Sequence, residues 1–127
     1  MAKILIVDDD PDLMEGLTEI LELKGYAVAC ARNGEEGLRK AHDERPDLML
    51  LDVMMTTDSE GFEVARRLHD DPATKSLPII ILTGIRKAKQ LPFSYEPDAD
   101  WLPVRAVLEK PVHPEVLLKQ IESVLKA

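Results

Sequence analysis

Apolar strand patterns alternating with helical ones predict a doubly wound α/β fold on a five-stranded parallel sheet. Three segments carry that reading: Ile4-Leu5-Ile6-Val7, Leu48-Met49-Leu50-Leu51 and Ile79-Ile80-Ile81-Leu82. Each is a continuous apolar run without alternation, the pattern of a parallel strand covered on both faces. The first two stop abruptly at aspartate and the last at Thr83.

The remaining elements follow in chain order. Leu13, Leu17, Ile20 and Leu21 form a helical stripe, and Gly25 is placed to end that helix. The short run Ala27-Val28-Ala29-Cys30 reads as the second strand. Asn33 with Glu36 resembles a capping box ahead of Leu38 and Ala41. Phe62, Ala65 and Leu68 give a third helix that Pro72 closes. Ala106-Val107-Leu108 completes the strands, and the last helix begins near His113-Pro114-Glu115 and buries Leu117, Ile121, Val124 and Leu125. Pro92, Pro97 and Pro103 fall between Arg86 and Arg105, so the fourth helix, between the fourth and fifth strands, is expected to be irregular or shortened. Right-handed crossovers leave few topologies, and strand order 2-1-3-4-5 is a common one.

With 127 residues the chain fits one domain, 1–127, with a single core and no output domain. A formal net charge of −8, from 24 acids against 16 bases, argues against nonspecific binding to nucleic acid. No apolar run nears the ~20 residues that cross a bilayer, so no membrane span is expected. Cys30 stands alone and cannot close an intramolecular disulfide, which suits a cytoplasmic location; it reads as a small apolar residue rather than a reactive thiol. His42 and His69 read as solvated, His113 as a helix-start residue, and no histidine pair has zinc-site spacing.

In open α/β sheets, ligands sit beyond the carboxyl ends of the strands. This sequence puts Asp8, Asp9 and Asp10 there after the first strand, Asp52 after the third, Thr83 after the fourth and Lys110 after the fifth. Asp10 reads as the N-cap of the first helix, with Pro11 at its first position and Asp12 favoured by the helix dipole. Asp8, Asp9 and Asp52 would repel one another unless a cation sat among them, and magnesium suits a few carboxylates with waters and phosphate oxygens. A hydroxyl and an ammonium beside such a centre suit phosphoryl transfer to a carboxylate.

The whole pattern resembles the response-regulator receiver family of two-component signalling, of the stand-alone chemotaxis type with a flavodoxin-like fold. The matching stretches are Ile4 to Asp10, Pro46 to Asp52, Gly61-Phe62-Glu63, Pro78 to Gly84 and Lys110-Pro111. The resemblance implies that Asp52 is the phosphoacceptor, Asp9 a direct magnesium ligand and Asp8 an acid acting through water. It implies that Met54 lends a backbone carbonyl to the metal, Thr83 bonds the phosphoryl group and shifts on activation, and Lys110 pairs with that group. The Lys110-Pro111 peptide is often cis in such proteins. A sensor histidine kinase or phosphotransfer protein would supply the phosphoryl group, and a downstream protein would read the result. The receiver would then be a monomer or a phosphorylation-dependent dimer, promoting only its own phosphorylation and dephosphorylation.

Departures from the family pattern are also legible. The stretch from Met54 to Gly61 lacks the usual Met-Pro and is one residue longer than usual. Val107 stands three positions before Lys110, where the family tends to place an aromatic switch residue. The segment from Gly84 to Leu108 is long and carries Phe93, Tyr95 and Trp101, which either form a docking surface or pack on the domain's own core. Apolar Met54 and Ile85, two residues beyond Asp52 and Thr83, imply slow self-dephosphorylation. The rival readings are a magnesium-dependent aspartyl phosphatase of the haloacid-dehalogenase type, a flavodoxin-like nucleotide binder and a phosphorylation-independent scaffold. Asp12 stands where the phosphatase motif wants Thr or Val, and no Gly-rich phosphate loop follows the first strand.

Overall fold

The first strand, β1 (Lys3–Val7), lies between β2 (Ala27–Ala31) and β3 (Leu48–Asp52), parallel to both. Beyond β3 come β4 (Ile79–Gly84) and β5 (Ala106–Lys110), again parallel, so the order is β2-β1-β3-β4-β5. This computed structural model describes residues 2–52, 60–84, 106–110 and 113–126. The sheet has the expected order and direction. The expected fourth helix and the Lys110-Pro111 peptide lie outside the described residues.

Successive strand residues face opposite ways, and each face gathers its own helices. Leu5, Val7, Met49, Leu51, Ile79 and Ile81 meet Ala41 of α2 (Gly34–Glu44) and Val64, Ala65 and Leu68 of α3 (Glu60–Asp70). Their neighbours Ile4, Ile6, Leu48, Leu50, Ile80 and Leu82 meet Met14, Leu17 and Leu21 of α1 (Pro11–Leu23) and Leu117 and Ile121 of α4 (Pro114–Lys126). Both faces are therefore covered, which is why the strands carry no polar alternation. Among the described residues, no helix is long and apolar enough to cross a membrane.

The helix ends follow the predicted chemistry with some corrections. Gly25 adopts φ +89°, and α1 closes in a Schellman arrangement: the Tyr26 N–H donates to the Leu21 carbonyl and the Gly25 N–H to that of Glu22. Asn33 caps α2, accepting from the Glu36 N–H at 2.9 Å. Glu36 itself pairs with Lys40 at 3.4 Å, one turn on. The core stripe of α1 includes Met14, buried at 7 % exposure, while Leu13 and Ile20 are only partly buried. Val124 and Leu125 likewise pack partly buried against the cluster that Leu117 and Ile121 enter fully. β4 runs through Thr83 and Gly84, and β5 reaches Lys110, both further than the apolar runs indicate. Cys30 is partly buried, its sulfur 3.7 Å from the Thr18 hydroxyl. His42 is not simply solvated: its Nε2 meets the Asp71 carboxylate at 2.6 Å.

Candidate metal and phosphoryl site

Strand register builds the site. β1 and β3 pair Ile6 with Leu50 and Val7 with Leu51, so the next step sets Asp8 beside Asp52. Adjacent strands lie about 4.8 Å apart, and the period of two puts both aspartates on the sheet face that carries Ile6 and Leu50. Asp8 and Asp52 are buried at 1 % and 4 % exposure, whereas Asp9 is exposed at the rim. One carboxylate oxygen from each of Asp8, Asp9 and Asp52 falls within 4.8 Å of the other two.

The turn that presents Asp8 is tied down from both sides. Its backbone N–H donates to the Ala31 carbonyl of β2 at 3.0 Å. Its Oδ1 accepts from the Asp10 N–H at 2.9 Å. Asp10 is the N-cap of α1, as its sequence position indicates: its Oδ1 accepts from the N–H groups of Asp12 and Leu13 at 3.0 and 3.2 Å. Of the predicted acids, Asp8, Asp9 and Asp52 thus converge, while Asp10 caps the helix. The Ala31 carbonyl is the contributor that sequence reasoning missed, since a backbone contact between strands leaves no residue-type signal.

For Thr83, Val107 and Lys110 the described feature is backbone position. Asp52 pairs with Leu82 on β4, and Thr83 follows Leu82 directly. Gly84 pairs with Lys110 at the same end of β5, and Ile81 pairs with Val107 further in. Thr83 and Lys110 therefore reach the sheet edge that holds the acids. Met54, Ile85 and Trp101 lie outside the described residues.

Three carboxylates this close repel one another, and more strongly as water is excluded. An all-oxygen donor set of this kind fits a hard divalent cation that keeps part of its water shell.

Known proteins share this architecture. The response regulator receiver domain family matches residues 4–122. Protein PilH of Pseudomonas aeruginosa is 41% identical, over 98% of this chain and 98% of its own. The transcriptional regulatory protein AfsQ1 of Streptomyces coelicolor is 37% identical over 99% of this chain, which spans 52% of that protein. Among solved structures, a CheY-like receiver domain protein from Methanospirillum hungatei superimposes with a TM-score of 0.79 at 32% identity, covering 99% of this chain and 94% of that one. Chemotaxis protein CheY4 of Vibrio cholerae gives 0.78 at 30% identity, with 98% of each chain covered. With the parallel order, the converging acids and this match along nearly its whole length, the chain belongs to the response regulator receiver domain family of two-component signalling.

Proposed function

We propose that this receiver takes a phosphoryl group on Asp52 from a phosphohistidine of a sensor kinase or phosphotransfer protein, with magnesium bound. The observation that carries the reading is the convergence of Asp8, Asp9 and Asp52 oxygens within 4.8 Å at one sheet edge. Asp9 and Asp52 would hold the ion directly, Asp8 through water, and Met54 through its backbone carbonyl. Bound there, magnesium supplies neutralising charge for the transferred oxygens.

The Asp52 carboxylate attacks phosphorus, the donor's N–P bond breaks, and the bonding pair leaves with the imidazole. An acyl phosphate on Asp52 results. The Thr83 hydroxyl and Lys110 ammonium hold the phosphoryl oxygens. Thr83 then biases a two-state equilibrium of the segment leading to β5, where Val107 and Trp101 belong to the face that a downstream protein reads. The chain on this account has no substrate beyond its own phosphorylation and dephosphorylation, and it acts in the cytoplasm.

Supplying acetyl phosphate with magnesium or with excess chelator tests the metal requirement. Phosphoryl incorporation is expected with magnesium and not with chelator; equal incorporation in both contradicts the reading. The apolar residues Met54 and Ile85 predict a long-lived acyl phosphate, which a half-life of seconds would contradict.

A further inference from the structure

We propose that Asp10 is a positioning residue for the acidic site, acting through Asp8 rather than as a ligand. Each hydrogen-bonding group of Asp10 that the structure engages joins the acid turn to α1. Its N–H donates to Asp8 Oδ1 at 2.9 Å. Its Oδ1 takes the N–H groups of Asp12 and Leu13, and its carbonyl takes that of Met14 at 3.1 Å. Its backbone is extended, with φ −94° and ψ 105°, the conformation an N-cap requires.

The cap and the acid are therefore one mechanical unit. With Oδ1 spanning the first turn, the Asp10 backbone is held in the orientation that aims its N–H at Asp8. The other end of the turn is fixed separately, by the Asp8 N–H on the Ala31 carbonyl. Removing the cap frays the first turn of α1, frees the Asp10 dihedrals and loosens one donor to the Asp8 carboxylate. The converging oxygens come from Asp8, Asp9 and Asp52 and not from Asp10. Asp10 should thus tolerate loss of charge but not loss of the capping oxygen.

Three variants separate the two roles. Asp10→Asn and Asp10→Ser keep a capping oxygen without the charge, and Asp10→Ala removes the oxygen. The first readout, hydrogen exchange at the residue-10 amide, needs no metal. The second is magnesium affinity by calorimetry, and it rests on the function proposed above. Asp10→Ala should exchange that amide about threefold faster or more and bind magnesium about three- to tenfold more weakly, the range that loss of one cap allows. Asp10→Asn and Asp10→Ser should stay within about twofold of the unaltered protein in both, on the same scale. Equal protection in all variants overturns the inference, as does magnesium binding that falls alike in Asp10→Asn and Asp10→Ala. If the unaltered protein binds no magnesium, the functional reading fails and amide exchange alone decides the role of Asp10.

Discussion

Asp8, the residue after β1, and Asp52, the last residue of β3, are both buried, and their carboxylate oxygens come within 4.8 Å of each other. Their oxygens converge with one from Asp9. A cation bound there binds the folded chain and not the unfolded one, so magnesium should raise stability. At magnesium about a hundredfold above its dissociation constant the gain is about 2.7 kcal/mol. A thermal melt should rise by several degrees with magnesium, return to baseline with chelator, and respond little in Asp9→Asn. A melt that ignores magnesium would contradict the site.

Gly37 of α2 offers a test of packing close to the site. A methyl group at Gly37 would lie 2.9 Å and 3.1 Å from the two γ-carbons of Val7, which is fully buried one residue before Asp8. A β-branched side chain has little rotamer freedom to yield, so α2 must move. Helix propensity favours Ala over Gly by about 1 kcal/mol, yet Gly37→Ala should destabilise by about 1–2 kcal/mol in urea unfolding. A stabilised variant would show that α2 is not in close contact with β1.

The C-terminal ends of α1 and α2 predict opposite responses. Arg45 holds φ +47°, a left-handed conformation that costs a side-chain residue about 1–2 kcal/mol. Arg45→Gly should therefore stabilise, by about 0.5–1 kcal/mol once the greater freedom of unfolded glycine is offset. Gly25, at φ +89°, is already the residue its position needs, and Gly25→Ala should destabilise by about 1 kcal/mol. Chemical unfolding of both variants checks the pair, and like signs would contradict the assignment.

The Asp71 carboxyl titrates below its ordinary value of 3.8, first because it accepts the Ala73 N–H and then because it meets His42. A depressed carboxyl contributes stability above its unfolded value and loses it as pH falls through the folded one. The stability gap between the unaltered protein and Asp71→Asn should be full above the ordinary value of 3.8 and be lost as pH falls below it, through the lower folded value. A gap that stays constant from neutral pH down to acid unfolding would contradict this.

Much of this was legible in the residues, and the exceptions have physical reasons. The runs at Ile4, Leu48 and Ile79 announce strands because both their faces are covered, so no polar residue interrupts them. The apolar run of β4 stops at Thr83, yet pairing of Thr83 with Glu109 and of Gly84 with Lys110 keeps both residues in the strand. Met14 escapes the stripe of Leu13, Leu17, Ile20 and Leu21 because the buried face of α1 runs through Met14, Leu17 and Leu21, with Leu13 and Ile20 only partly buried. His42 reads as solvated because its partner Asp71 is 29 residues away. At the site, Asp8, Asp9 and Asp52 were visible because strand ends are where such folds place ligands. How Asp10 and Ala31 orient Asp8 was not, because two of those contacts are made by the backbone.

Intact mass after incubation with acetyl phosphate and magnesium reads out whether Asp52 receives the phosphoryl group. The unaltered protein should gain one phosphoryl group and Asp52→Asn none. A gain that survives the Asp52→Asn change would contradict that role for Asp52.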